Sequence, residues 1–166
     1  KVLPDSDTRV RLLRKVGGRL MATLSKDENK DFQFSFDVID SKELNAFALP
    51  GGPVFFYTGL LSKFKTEDEL AGVLAHEMTH VRKEHWANAY AANQKRKLGL
   101  SALLLILRAN DTIFDLAGIS DDLLFTLPYS RRHETESDDL GLDSMVAAGY
   151  NPEGMAHVFE ILREAS

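Results

Sequence analysis

The chain has 166 residues, of which 44% are hydrophobic and 27% charged, a balance typical of one globular domain with a single core. Asp and Glu outnumber Lys and Arg by 25 to 20, and the formal net charge of −5 argues against nucleic acid as a partner. Because the chain has no cysteine, disulfides, thiolate metal sites and a cysteine nucleophile are excluded.

An amphipathic helix is predicted near the N-terminus. Apolar residues recur at intervals of three and four from Val10 to Leu24, which is the spacing of one helix face. Either Asp5 or Asp7 can cap its first turn, and Gly17 and Gly18 weaken its middle.

A small sheet is predicted next. Residues 32–38 alternate apolar and polar side chains, which indicates a half-buried strand. Residues 44–49 and 54–58 flank a Pro-Gly-Gly turn and predict a hairpin or short meander. Pro53 can only begin its strand or lie at a sheet edge, because it has no N–H to donate.

From Thr66 onward the pattern is helical with short breaks, and Asn151 followed by Pro152 opens the last helix. Residues 98–107 are leucine-rich but too short to span a membrane, and burial in the core is favoured over docking on a membrane or partner. The predicted fold is therefore an α+β domain, mostly helical and zincin-like, with a small three-stranded antiparallel or mixed sheet.

The helix starting at Thr66 carries an HExxH string, His76-Glu77-Met78-Thr79-His80. Thr66 and Glu69 can form a capping box at its start. His76 and His80 lie one turn apart, so two imidazoles can reach one metal ion. Glu77 falls within the apolar stripe of this helix, where a carboxylate is costly without a partner. The alternative is two surface histidines and a Glu paired with a lysine.

A catalytic zinc site also needs a third protein ligand and one open position. In the metzincin pattern a Gly lies seven residues after the first histidine and the third ligand lies ten residues after it. Here Lys83 and Trp86 occupy these two positions after His76. If this helix continues as far as His85, that residue lies on roughly the opposite face from His76, which predicts a solvent-exposed or helix-end histidine. The third ligand must therefore come from elsewhere in the chain.

The acidic segment after Ser130 is the richest candidate for that ligand. Read as a helix capped by Ser130, it places Glu134 and Asp138 one turn apart on one face, whereas Glu136 points to the other side. A Glu at the first position can bind zinc while an Asp at the second accepts the N–H of a ligating imidazole. The alternative is a solvated acidic face paired with the two preceding arginines.

Three blocks of the sequence carry a family resemblance. They are residues 45–52 with 58–61, residues 67–80, and residues 129–141 with 149–152. On these blocks the chain resembles the gluzincin endopeptidases of the HtpX and CAAX prenyl protease type, peptidase family M48, and within them the soluble bacterial branch. The resemblance implies that His76, His80 and Glu134 bind one Zn²⁺ per chain, that Glu77 is the catalytic acid and base, and that Asp138 orients a ligating imidazole.

The chain also departs from the family pattern. Ser137 stands where the family usually has Ala, and both residues are small. Family members carry a further segment with a Ser-Thr/Ser-His-Pro string and an Arg, and His157 lies too early to replace it. We therefore expect residues 1–166 to be a single catalytic domain that lacks a further C-terminal segment.

The predicted function is zinc-dependent hydrolysis of peptide bonds in extended, unfolded or misfolded proteins, as in protein quality control. Arg131 is the first-ranked donor to the oxyanion. The edge formed by residues 44–48 is expected to bind substrate through Asn45, Ala46 and Phe47, as the resemblance also implies, although Phe47 can equally belong to the core.

Two other functions stay open. One is a zinc-bound but proteolytically silent chaperone-like or assembly module, and the other is a metal hydrolase acting on a non-peptide bond. The expected partners are polypeptides. The expected location is the bacterial cell envelope, in the periplasm or attached to a membrane through segments that this chain lacks.

Overall fold

A computed structural model describes residues 1–85 and 131–165. Helices and strands alternate irregularly along these two stretches, which confirms the α+β prediction. The helices are α1 (Thr8–Met21), α2 (Lys26–Asp31), α3 (Thr58–Leu61), α4 (Glu67–Arg82), α5 (Arg131–Ala147) and α6 (Glu153–Ala165), and the strands are β1 (Ser35–Ile39), β2 (Ala46–Ala48) and β3 (Pro53–Tyr57). The helix predicted over residues 98–107 and the cap predicted at Ser130 lie outside the described residues.

The three strands form a mixed sheet in the order β1-β3-β2. Strand β1 is parallel to β3, whereas β2 is antiparallel to it and pairs Phe47 with Phe55. The hairpin predicted around the Pro-Gly-Gly turn is confirmed. Pro53 begins β3, as predicted, so the central strand tolerates it. Strand β2 lies at an edge of the sheet.

One face of the sheet packs against the helices. The side chains on this face are Phe36 and Val38 from β1 and Val54 and Phe56 from β3. They belong to the main hydrophobic core, together with the apolar face of α1 and the buried face of α4. Gly17 lies in α1 where it meets β1, and a Cβ there would clash with the ring of Phe36. The glycine that weakens this helix locally is therefore required for its contact with the sheet.

The N-terminal caps of α1 and α4 are confirmed. Asp7 caps α1, and its side chain accepts the backbone N–H of Arg9. Thr66 caps α4 in a complete capping box with Glu69. These caps fix where each helix begins, and so they fix which side chains of α4 face its neighbours.

Helix α4 lies between the sheet and the pair α5 and α6. Gly141 of α5 is close to α4, because a Cβ built on it would lie 3.0 Å from the backbone nitrogen of His76. Helix α5 thus reaches the backbone of α4 at the first histidine of the HExxH string. Within the two described stretches, no helix combines the length and the apolar character that crossing a membrane requires.

Candidate metal centre

Three side chains from two helices converge on one point. The Nε2 atoms of His76 and His80 lie 3.1 Å apart. Glu134 of α5 places Oε2 3.0 Å from Nε2 of His76 and Oε1 3.2 Å from Nε2 of His80. His80 is almost fully buried, so the alternative of two surface histidines is wrong. Helix α5 brings in Glu134 across a long separation in sequence.

The spacing of these donors can be compared with that of a metal site. In a tetrahedral zinc site with bonds of about 2.0–2.1 Å, ligand atoms lie about 3.3 Å from one another. The three distances among His76, His80 and Glu134 are 3.0, 3.1 and 3.2 Å, slightly shorter than this value. Two imidazoles and one carboxylate are also the donor set of many catalytic zinc sites. The residues present therefore fit one zinc ion.

Asp138 contacts the opposite side of the His76 ring. Its Oδ1 lies 2.8 Å from Nδ1 of His76. When Nε2 faces a metal, Nδ1 carries the proton and donates it to this carboxylate, which fixes the tautomer and the ring orientation. Glu134 and Asp138 thus act from the same face of α5, one turn apart.

The electrostatics of the cluster follow from burial and from these hydrogen bonds. Burial lowers the pKa of His76, but the hydrogen bonds with Asp138 and Glu134 outweigh it and raise that pKa to about 10. Burial raises the pKa of Glu134, yet the hydrogen bonds from both histidines hold it well below its usual range. The pKa of His80 is lowered, mainly by burial. A metal ion must therefore displace a proton from His76, so the affinity of the site for the metal should fall at low pH.

Glu77 lies beside the histidine pair on the wall of a cleft. Burial is the main cause that raises its pKa to about 7, with the charge of His76 opposing this effect and that of Glu134 adding to it. A bound divalent cation would lower this pKa again, because it favours the carboxylate. The group is placed to exchange a proton with a molecule in the cleft.

The cleft has a volume of about 350 Å³ and adjoins the converging ligands. His76, Glu77, Glu134 and Asp138 contribute to its polar wall. Its apolar wall comes from the start of β2 and from α6, where Phe159 remains 52% exposed and Leu162 39% exposed. An apolar side chain of a bound molecule can therefore pack on this wall, next to the polar wall of the cleft.

The structure brings some of the predicted substrate contacts to this cleft and not others. Asn45 and Ala46 line it. The side chain of Phe47 lies elsewhere, buried with its ring centroid 5.1 Å from that of Phe55. Arg131 is exposed at the start of α5, and it is absent from the cleft lining in the described part of the chain.

The prediction of a solvent-exposed His85 is wrong, because its side chain is only 1% exposed. Helix α4 ends at Arg82, and Glu84 adopts a left-handed conformation with φ of 52°. The chain therefore turns back and places Nδ1 of His85 2.9 Å from Nδ1 of His80. Extending the helix beyond Arg82 put His85 on the wrong side, and no periodic signal in the sequence marks this turn.

Glu136 meets His85 on the far side of this contact. Its Oε1 lies 2.6 Å from Nε2 of His85, and its side chain remains 44% exposed. Glu136 points away from Glu134, as predicted, but it contacts a histidine that the sequence had placed in solvent.

Comparisons with known proteins show the family of this chain. Residues 8–165 match the family described as Peptidase family M48. The mitochondrial metalloendopeptidase OMA1 of Arabidopsis thaliana is 36% identical over 125 residues, which cover 75% of this chain and 25% of that protein. OMA1 of Schizosaccharomyces pombe is 36% identical over 134 residues, with 78% and 38% covered.

A bacterial relative is also similar. The beta-barrel assembly-enhancing protease of Yersinia pestis is 28% identical over 159 residues, which cover 91% of this chain and 32% of that protein. The chain thus spans between 25% and 38% of the length of these three relatives.

Proposed function

The chain belongs to peptidase family M48, and on that premise we propose that it is a zinc-dependent metalloendopeptidase acting on extended, unfolded or misfolded proteins. The observation that carries this proposal is the convergence of His76, His80 and Glu134 within 4.8 Å of one another. Glu77 lies on the same cleft wall and supplies a candidate acid and base.

Each of these side chains has a role in the proposed mechanism. His76, His80 and Glu134 would hold the ion, and Asp138 would keep the ring of His76 in place. When bound, zinc supplies Lewis acidity, which polarises a carbonyl and allows a water to lose a proton near neutral pH. The carboxylate of Glu77 accepts that proton and later donates it to the nitrogen of the leaving amine.

Strand β2 can hold the substrate in an extended conformation. The N–H of Tyr57 donates to the carbonyl of Asn45, and the N–H of Leu49 donates to that of Pro53, so these two residues of the β2 segment bond towards β3. By the alternation of an antiparallel ladder, the backbone groups of Ala46 and Ala48 point to the open edge, where the N–H of Ala46 already donates to Oδ1 of Asn45 and the carbonyl of Ala46 and both groups of Ala48 can pair with a peptide. A peptide added there would gain main-chain hydrogen bonds with little demand on its sequence.

The apolar wall of the cleft supports a preference for unfolded chains. Val158, Phe159 and Leu162 of α6 and Val73 of α4 line it beside His76. Bulky apolar side chains are mostly buried in folded proteins and become accessible on unfolding. A peptidase that binds such side chains would therefore select misfolded substrates, which is a role in protein quality control.

The substitution Glu77→Gln tests this proposal. It keeps the size of the side chain but removes the proton acceptor, so casein cleavage should fall by about 100-fold to 10,000-fold. Zinc content should stay at one ion per chain. The matched control is Asp139→Ala, which changes an exposed acid on α5 and should leave both measurements unchanged. Equal turnover in the wild type and Glu77→Gln would contradict the role of Glu77.

Zinc content tests the ligands independently of turnover. One ion per chain should be present in the wild type and lost in His80→Ala and Glu134→Ala. A protein that binds zinc at these residues and cleaves no peptide in an unbiased library would favour the silent chaperone-like module instead.

For location, the same proposal places the protein in the bacterial cell envelope, in the periplasm or on a membrane. The support is its similarity to a protein named beta-barrel assembly-enhancing protease. Fractionation of the source cells should recover it with envelope proteins, and recovery in the cytosol would contradict this location.

A further inference from the structure

His85 contacts the side of the His80 ring that faces away from the converging ligands. Nε2 of His80 faces His76 and Glu134, whereas its Nδ1 lies 2.9 Å from Nδ1 of His85. The other nitrogen of His85, Nε2, lies 2.6 Å from Oε1 of Glu136. A continuous chain of three side chains therefore leads from the surface to the buried ring of His80.

The protonation states along this chain follow from the contacts. When Nε2 of His80 binds a metal, its Nδ1 must carry the proton and donate it. Nδ1 of His85 must then accept, so a neutral His85 carries its proton on Nε2 and donates it to Glu136. This arrangement of protons satisfies both contacts, the one between His80 and His85 and the one between His85 and Glu136. Glu136 favours it by accepting the hydrogen bond from Nε2 of His85.

We propose that His85 and Glu136 are positioning residues for the metal centre, which hold His80 in the tautomer and orientation that present Nε2 to the ion. This inference rests on the zinc site of the proposed function. His85 and Glu136 would act through His80 and touch neither the ion nor the substrate.

The depth of His80 explains why a second imidazole is used. Asp138 can reach His76 directly and keep 34% of its side chain exposed. The Nδ1 edge of His80 faces His85, which is only 1% exposed, so a carboxylate in the place of His85 would be a buried charge, which is costly. A neutral imidazole can lie there instead, while the charge stays on Glu136 nearer to solvent.

Two residues of α5 also contact His85 or lie close to it. The ring of His133 stacks on that of His85, with centroids 4.4 Å apart and planes inclined by 20°. The hydroxyl of Ser137 lies 3.2 Å from Nδ1 of His80 and 3.3 Å from Nδ1 of His85. Because Ser137 could accept from His80 if His85 were replaced, the test needs a Ser137→Ala background as well.

The test compares two substitutions that separate hydrogen bonding from packing. In His85→Asn, the side-chain oxygen lies near the position of Nδ1 and can accept from His80, although much of the ring volume is lost. In His85→Phe, the ring volume is kept and the acceptor is lost. Zinc affinity is measured on the purified protein by competition with a chromophoric chelator, and the visible spectrum of the Co²⁺ form reports the ligand geometry.

We expect His85→Phe to bind zinc about 10-fold to 100-fold more weakly than the wild type, most clearly with Ser137→Ala. His85→Asn should bind more tightly than His85→Phe, and its Co²⁺ spectrum should lie closer to that of the wild type. A residue that only fills space would give the reverse order, and that order, or wild-type affinity in His85→Phe, would overturn the proposal.

The outer carboxylate is tested by Glu136→Ala against Asp139→Ala, since each removes one acidic group from α5. Only Glu136→Ala should weaken zinc binding, and equal affinities would overturn the role of Glu136. Thermal unfolding of the metal-free variants identifies those that fail to fold, and the Asn and Phe comparison is made on folded proteins. Failure of the wild type itself to bind zinc would refute the proposed function rather than this inference alone.

Discussion

Asp138 Oδ1 lies 2.8 Å from His76 Nδ1, and this contact links α5 to α4 between residues 62 positions apart in the chain. It lies on the ring edge opposite the nitrogen that faces Glu134. Asp138 is therefore placed to orient a ligand.

Removing this carboxylate should weaken metal binding without removing a ligand. We expect Asp138→Ala to lower zinc affinity by about 10-fold to 100-fold, because the ring of His76 loses its orienting acceptor. The measurement is chelator competition. Asp143→Ala, which changes an exposed acid further along α5, is the control, and a similar loss there would indicate a general effect of charge.

The close approach of α5 to α4 at Gly141 should be sensitive to a single methyl group. A Cβ at Gly141 would lie 3.0 Å from the backbone nitrogen of His76 and force the helices apart. We expect Gly141→Ala to lower the free energy of unfolding by about 1–2 kcal/mol and to weaken zinc binding.

Gly18→Ala is the matched control for that substitution. A Cβ at Gly18 meets nothing within 4 Å, so alanine should stabilise α1 by about 0.5–1 kcal/mol. Chemical denaturation measures both effects. The same sign for the two substitutions would contradict the helix contact.

The apolar wall of the cleft should affect substrate binding and leave metal binding unchanged. Phe159→Ser removes an apolar surface that is half exposed and available to a substrate. We expect kcat/KM for peptides with bulky apolar side chains to fall about tenfold, mainly through KM. Val146→Ser, at an exposed apolar residue of α5 away from the cleft lining, should change neither kcat nor KM. A loss of zinc in Phe159→Ser would show that the wall serves the fold instead.

The cap of α1 should make a contribution to the free energy of unfolding that depends on pH. The hydrogen bonds from the Arg9 side chain and backbone N–H lower the pKa of Asp7 from 3.8 to about 2. Because the folded pKa is the lower one, this contribution is present above about pH 4 and is lost as the pH falls towards 2. Asn also caps but does not titrate in this range.

Thermal unfolding of the metal-free wild type and Asp7→Asn tests this contribution to stability. The difference in Tm between them should diminish between about pH 4 and pH 2. A constant difference across this range would show that Asp7 does not titrate as its contacts require. The metal-free form is used so that acid-induced loss of zinc does not contribute.

Much of the fold and the candidate site could be predicted because the signals are local. Capping residues and apolar periodicity located α1 and α4, since a helix repeats its faces every 3.6 residues. The four-residue spacings of His76 with His80 and of Glu134 with Asp138 placed each pair on one helix face for the same reason. The family resemblance then implied that Glu134 is the third ligand, and the structure brings its carboxylate to both histidines.

The amino-acid sequence by itself determined helices α1, α4, α5 and α6, the two pairs of polar side chains and the family of this protein, whereas it did not predict the short helices α2 and α3. The tertiary structure alone decided the contact of His85 with His80, the link to Glu136 and the apolar wall supplied by α6. Periodicity describes a helix only up to the point where the chain leaves it, and Glu84 leaves α4 in a left-handed turn. Beyond such a turn, packing between distant segments determines which side chains meet.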